Sequence, residues 1–472
     1  MKQGNLNSGR KEVKSYKYLY HFRFLSVVSL TLTLIGQTLK VIRASEGKSK
    51  ANFSDKSRIA VLYSISIAYL AFALLRYQAI TFSDLSVYWV SALSIHRGGT
   101  AYVQLDPTAP YVYGSFLSSL FSHLTFISYT TLFCLWFIFN VGLMYLICRF
   151  TYRKLFKEIS ALRECVLFSL LAVSYPVRHS LALGQVVILV LFFILISFYF
   201  HENPITEWRS WIGAASLVFA FELKPYLVIF FIFFLVFKKR YIFLLQSFII
   251  ILILNFYYYF ALNTSTWINW YTAIKDRSSN LTSDGTQTTL LNLVFNNLPV
   301  NTLTAVLIYA SSVLLLLFFS FKSWNLISTN SQIFLLFTLG PIISIYSHEQ
   351  DFVFSIFAVL VVLSRNSFQS KEFWLIPLFF AFYLNIASPE IFKSLLVHLL
   401  LILVLYFSKT ISTRKQLLVI FAGNIFIQLL ARDILKQFGE FRQLQLLKLF
   451  CLTLGYLCWY ALLTSSKQLE VE

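Results

Sequence analysis

Four short polar stretches interrupt long apolar runs in this chain, and each holds side chains able to do chemistry. FSDLSVYWVSALSIHRGG (82–99) places a single acid, Asp84, among aromatics. PVRHSLALGQ (176–185) offers Arg178, His179 and Gln185. FELKPY (221–226) sets Glu222 and Lys224 in the middle of an apolar block. GPIISIYSHEQDFVF (340–354) gathers His348, Glu349, Gln350 and Asp351. A carboxylate can take the proton of a hydroxyl nucleophile, whereas lysine, arginine and imidazole are the usual partners of phosphate oxygens. Together these residues suit an anionic lipid head group, with Lys224, Arg178 or His348 near the phosphate, and a polar molecule that a carboxylate deprotonates. Lysine deep in an apolar segment is costly and therefore functional by default. A Glu222–Lys224 pair, or a lysine that snorkels to the interface, is the competing reading. For Asp84 the competitor is a helix cap or a solvated juxtamembrane acid.

These stretches must be positioned by membrane helices. The 472 residues are 58% hydrophobic and 12% charged, whereas soluble proteins carry about 25% charged residues. Apolar blocks of about 17 to 25 residues, the length that crosses the hydrocarbon as a helix, recur from residue 59 onward. The expected fold is an all-α polytopic membrane protein. IILILNFYYYF and SSVLLLLFFS lack the period of two that barrel strands require. The spans can be walked as 59–80, 127–148, 162–176, 185–200, a split pair 210–223 and 226–237, 241–261, 302–321, 331–346, 352–364, 372–387, 394–408, 416–431 and 444–463. About 12 to 14 of these are full or short membrane helices. Short blocks imply a polar cavity, because irregular backbone at membrane depth must be buried in protein or line water.

Charge sets the orientation. Residues 1–58 hold twelve Lys and Arg, the mark of a cytoplasmic, lipid-facing segment rather than a nucleic-acid site. The apolar run at 24–39 is short, polar inside and flanked by cations on both sides, so it reads as an interfacial helix. A cleaved signal peptide is disfavoured by Arg43 at the would-be cleavage site. With alternating spans, the cytoplasmic side collects about three times as many Lys and Arg as the outer side. Both termini then lie in the cytoplasm, and all four polar stretches fall on the outer face of a cell (inner) membrane. At helical spacing Asp84, Tyr88 and Ser91 share one face, while Leu85, Trp89 and Leu93 share another that can lie on lipid. The chain divides into a basic segment (1–58), a membrane core (59–365) and C-terminal membrane helices (366–472).

Cys134, Cys148, Cys165, Cys451 and Cys458 lie in or beside apolar blocks and imply neither a disulfide framework nor a metal site. No P-loop, GxSxG elbow or HExxH motif occurs, which removes ATP-driven transport within this chain and the commoner hydrolases. The loop at 262–301, with WINWY (267–271) and NLTSDGTQTTLLNLVFNN (280–297), suits sugar rings and equally suits an interfacial aromatic belt.

DLSVYWVSALSIHRGGTAY (84–102), APYVYGSFLSSL (109–120), LALGQVVILVL (181–191), WIGAASLVFAFELKPYLVI (211–229) and SIYSHEQDFVF (344–354) resemble, in order, the motifs of the bacterial polyprenyl-phosphate-mannose-dependent mannosyltransferases. That family belongs to the GT-C glycosyltransferase superfamily and is related to the phosphatidylinositol-mannoside mannosyltransferases. The resemblance covers residues 59–365. It implies a GT-C-like catalytic core that moves a hexose, mannose by resemblance, from a polyprenyl-phosphate donor to a lipid or glycan acceptor, with inversion. It assigns the general base to Asp84 and the donor phosphate to Lys224, His348 and Arg178. Tyr88, Gln185 and Glu349 would line the cavity, with neither metal nor cofactor in the scheme. The sequence departs from the family in YVYGS, where Gly114 replaces a proline-containing turn. A transporter or flippase for lipid-linked saccharides is the alternative of another class. Its inverted repeats are not evident here, since the GQ and LKP motifs each occur once with these flanks.

Overall fold

A computed structural model describes residues 55–77, 84–102, 113–262, 271–273, 304, 306–314, 332–334, 336–337, 340–341 and 349–365. The basic segment before residue 55, most of the 262–301 loop, His348 and the C-terminal helices expected after residue 365 lie outside the described residues. Among the described residues every regular element is a helix. In chain order they are α1 (Asp55–Tyr77), α2 (Asp84–His96), α3 (Phe116–Ser122), α4 (Tyr129–Phe150), α5 (Ala161–Val173) and α6 (Tyr175–Leu183). There follow α7 (Val187–Phe200), α8 (Trp208–Leu223), α9 (Pro225–Phe237) and α10 (Tyr241–Leu262). A 3-10 turn (Glu349–Phe352) leads directly into α11 (Val353–Arg365).

The helix α4, with the π-helical turn Thr151–Leu155 that continues it, and α10 are long and apolar enough to cross a membrane. The α5–α6 pair, bent by 66°, makes a third span if counted as one. α4 shows how sequence sets a face. Leu135, Ile138, Phe139, Tyr145 and Leu146 form an exposed apolar stripe, whereas Leu132, Phe133, Trp136, Phe137, Leu143 and Met144 are buried. The period is that of a helix, but both faces are apolar, as lipid on one side and protein on the other demand. α10 is still more lipid-like, exposing Ile242, Leu245, Phe248, Leu252, Ile253 and Phe256. In lipid, helices gain no hydrophobic advantage from touching each other, so packing and buried hydrogen bonds hold them together. One such bond runs from Ser210 Oγ on α8 to Gln246 Oε1 on α10, at 2.8 Å.

The centre of the bundle is α5 and α7. Every residue of α5 from Glu164 to Val173 is buried, as are Val187 to Leu191, Ile194, Leu195 and Phe198 of α7. α1 packs on α5, α8 packs on α7 and α10, and α11 packs on α5, α6 and α7. Polar ends are tied off locally. Ser128 Oγ accepts from the Thr131 amide at the start of α4 (3.2 Å), and Ser160 does the same for Arg163 at the start of α5 (3.4 Å), each a helix N-cap. Between them, Arg153 Nε reaches Glu164 Oε1 at 2.8 Å.

Two expectations change. PVRHSLALGQ, expected as a turn between spans, folds instead as the helix α6. Pro176 sits in its first turn, where proline's missing N–H costs nothing, so the proline starts a helix here. The α2 face of Leu85, Trp89 and Leu93 does not lie on lipid. Leu85 and Trp89 are buried along with Tyr88, Ser91, Ala92 and Ile95, because α2 is wedged against α3 and α4.

Candidate active site

Asp84 opens α2. Opposite it the chain breaks between α6 and α7 at Gly184, whose φ of 65° is left-handed. The Gln185 amide bonds the Ser180 carbonyl at 2.9 Å, which closes α6 as a Schellman motif. Trp136 Nε1 on α4 holds the Gly184 carbonyl at 3.0 Å. This turn points the buried Gln185 at Asp84, and Gln185 Nε2 donates to Asp84 Oδ2. Gln185 Oε1 is buried without a hydrogen-bond partner among the described residues. The Asp84 carboxyl is thus held from the α6–α7 break by a side-chain amide.

Gly184 is required twice over. A Cβ at this position would lie 2.6 Å from Leu85 Cβ, the residue after Asp84, and non-glycine residues pay about 1–2 kcal/mol in this region of backbone space. Gly184→Ala is therefore expected to lower the thermal unfolding temperature of the detergent-solubilised protein and to slow its reaction, since Leu85 must move and carries Asp84 with it. An unchanged melting temperature would show that the α6–α7 turn is not packed as described.

The second cluster forms where α8 ends. Pro225 has no N–H and would clash with the carbonyl four residues back, so the helix stops. Lys224 turns to φ −151°, ψ 82° and α9 starts at once, the extended backbone that a following proline favours. The break aims Lys224 at the 3-10 turn. Its Nζ lies 2.6 Å from Asp351 Oδ1, and both side chains are fully buried. Tyr226 donates its hydroxyl to Asp351 Oδ2 at 2.9 Å. Charges removed from solvent survive only when paired and hydrogen-bonded, and this trio meets that condition. Glu222 is not the partner of Lys224.

The remaining sequence candidates go elsewhere. Arg178, half-buried on α6, donates from Nη1 to the Tyr69 hydroxyl at 3.2 Å, tying α6 to α1. Tyr88, one turn after Asp84 and fully buried, stacks on Tyr113 with ring centroids 5.2 Å apart and planes at 16°. The Glu349 backbone opens the 3-10 turn that packs against α6. His348 lies outside the described residues. The structure thus joins Asp84 to Gln185 and Lys224 to Asp351, and it links Arg178 to Tyr69 of α1. Tyr226 was passed over by the sequence reading, and Asp351 was noted in its polar stretch but given no role. A lysine buried at mid-block demands a carboxylate, and Asp351 was one of the few acids available to it. Among the described residues no three His, Cys, Asp or Glu side chains cluster as a metal site.

An all-helical membrane protein that carries a carboxylate–amide pair and a buried lysine–carboxylate pair is the class these observations define. Residues 111–345 match the family model of Glycosyltransferase family 87, and on this fold that match indicates a membrane glycosyltransferase. No curated protein matches the chain significantly. The matched region takes in Arg178, Gln185, Glu222 and Lys224. It starts after Asp84 and Tyr88 and ends before His348, Glu349 and Asp351.

Proposed function

We propose that this protein transfers a hexose, mannose by the resemblance of its motifs, from a polyprenyl-phosphate donor to a lipid or glycan acceptor on the outer face of the cell membrane. Asp84 is the general base. Its carboxylate takes the proton of the acceptor hydroxyl while that oxygen's electron pair attacks the anomeric carbon from the side opposite the phosphate. The bond between the anomeric carbon and the phosphate oxygen breaks, the configuration inverts, and the lipid monophosphate leaves with the bonding pair. A cation beside that phosphate offsets its growing charge, the role of Lys224 together with Arg178 and His348. Gln185, and with it Tyr88 and Glu349, shapes the cavity around the sugar.

The observation that supports this reading most is the Asp84–Gln185 pair. A carboxylate oriented by an amide donor is suited to accept a proton, and a mere helix cap would not need a buried glutamine brought from the α6–α7 break. The test is donor dependence in membranes containing the protein. Polyprenyl-phosphate mannose labelled in the sugar should pass label to a glycosylated product, whereas a labelled sugar nucleotide should pass none without polyprenyl phosphate. Direct transfer from the nucleotide would overturn the donor assignment. Movement of the intact labelled donor across vesicles without any new glycosidic bond would replace the enzyme by a transporter.

A further inference from the structure

Glu222 lies two residues before Lys224, yet it faces away from that lysine's partner and toward the segment that follows the 103–112 connection. The Gly114 amide donates to the Glu222 carbonyl at 2.8 Å. The Glu222 carboxyl, itself buried, lies against Gly114 and is stabilised by the backbone amides of Ser115 and Phe116. These are two of the orphan donors at the start of α3, and an N-cap side chain ordinarily serves the next two amides of the first turn. In α3 the Ser115 side chain makes no such bond, and the first turn carries no acid of its own. Glu222 thus serves the start of this helix from a different element. Gly114 makes room for it, since a Cβ would lie 2.1 Å from Glu222 Oε2. A side chain at position 114 would therefore displace the Glu222 carboxyl. Phe219, one turn before Glu222, adds a stack on Phe116 with centroids 4.5 Å apart.

The clamp extends to the Asp84 side. Tyr113, next to Gly114, stacks on Tyr88, and its carbonyl accepts from the Tyr102 hydroxyl at 3.1 Å. Burial pushes the Tyr102 phenol well above its ordinary pKa, so it stays protonated and able to donate. The two ends of the 103–112 connection are thereby pinned together beside α2.

We infer that Glu222 is a positioning residue, which fixes Tyr113 over Tyr88 and so sets the wall beside Asp84 against which the acceptor is oriented. It acts through the backbone of residues 114–116, touches no reacting atom, and joins the α8–α9 break that carries Lys224 to the helix that carries Asp84. The role rests on the reading of Asp84 as base.

The test compares Glu222→Ala with Glu222→Gln, whose amide oxygen can still accept the two N–H groups, and with Gly114→Ala, which displaces the carboxyl while retaining it. Two quantities are read in membranes and in detergent: transfer from polyprenyl-phosphate mannose at varied donor concentration, and backbone hydrogen exchange of residues 114–119. Losing the carboxyl acceptor should speed exchange at these amides by about fivefold to tenfold in Glu222→Ala and Gly114→Ala. kcat should fall by about tenfold while the donor KM stays within about twofold. Glu222→Gln should recover most of both. Parallel loss of kcat and rise of donor KM would place Glu222 on the phosphate side. Equal defects in the Gln and Ala variants would mean that its charge, not its position, is used. Unchanged exchange would remove the clamp altogether. The exchange arm needs no reaction, so it stands or falls separately from the assignment of Asp84.

Discussion

Asp84→Asn is expected to lower transfer by about two to four orders of magnitude, the contribution a general base makes, while leaving the protein inserted and folded. Asparagine has the shape of aspartate, and its side-chain carbonyl can accept the same hydrogen bond from Gln185 Nε2. The α2 start therefore keeps its partner and the neighbouring turn at Gly184 keeps its packing against Leu85. What is lost is basicity, because an amide oxygen does not take up a proton near neutral pH. The measurement is the rate of label transfer from polyprenyl-phosphate mannose by wild type and variant at equal protein, with the melting temperature as the control. If transfer stays within about tenfold at unchanged stability, Asp84 is not the base. If transfer and stability fall together, the residue serves the fold, and the helix-cap reading that competed from the start is the correct one.

The architecture was legible because lipid imposes a simple rule on the sequence: an apolar block of sufficient length must be a helix. The expected breaks at 200–210, 237–241 and between 223 and 226 coincide with the ends of α7 to α10. The split at FELKPY followed from Pro225 alone. Side-chain pairing was less legible because it depends on which breaks meet in space. Lys224 called for an acid, and sequence proximity favoured Glu222. The helix end instead sends the two side chains in different directions, Glu222 to α3 and Lys224 to the 3-10 turn. PVRHSLALGQ misled for a related reason, since proline marks a helix start as well as a stop. The Asp84–Gln185 contact joins residues a hundred positions apart, and no local pattern encodes it. The sequence reading grouped both residues among its polar breaks, but the contact itself is seen only in the structure.

The buried pair of Lys224 and Asp351 predicts the other large effect, and removing both charges separates stability from chemistry. Either Lys224→Met or Asp351→Leu alone strands a charge in a fully buried place, which costs about 3–5 kcal/mol. Both single variants should melt far below wild type or fail to accumulate. Replacing the pair together by apolar residues of similar volume is neutral or stabilising in many proteins, so the double variant should recover most of the lost stability. A triple variant that adds Tyr226→Phe also removes the hydroxyl that Asp351 accepts from. If the pair served the fold alone, these multiple variants would regain transfer together with stability. Lys224 as a phosphate ligand predicts the opposite: restored melting with transfer still reduced by about tenfold or more, and the loss concentrated in donor KM. In that case Asp351 has a defined part as well. It holds the lysine in position until a phosphate arrives to share it or to replace the carboxylate, since a buried charge needs a partner. Stable, fully active double variants would place the phosphate contact on other residues and leave the buried pair as a structural tie between α9 and the 3-10 turn.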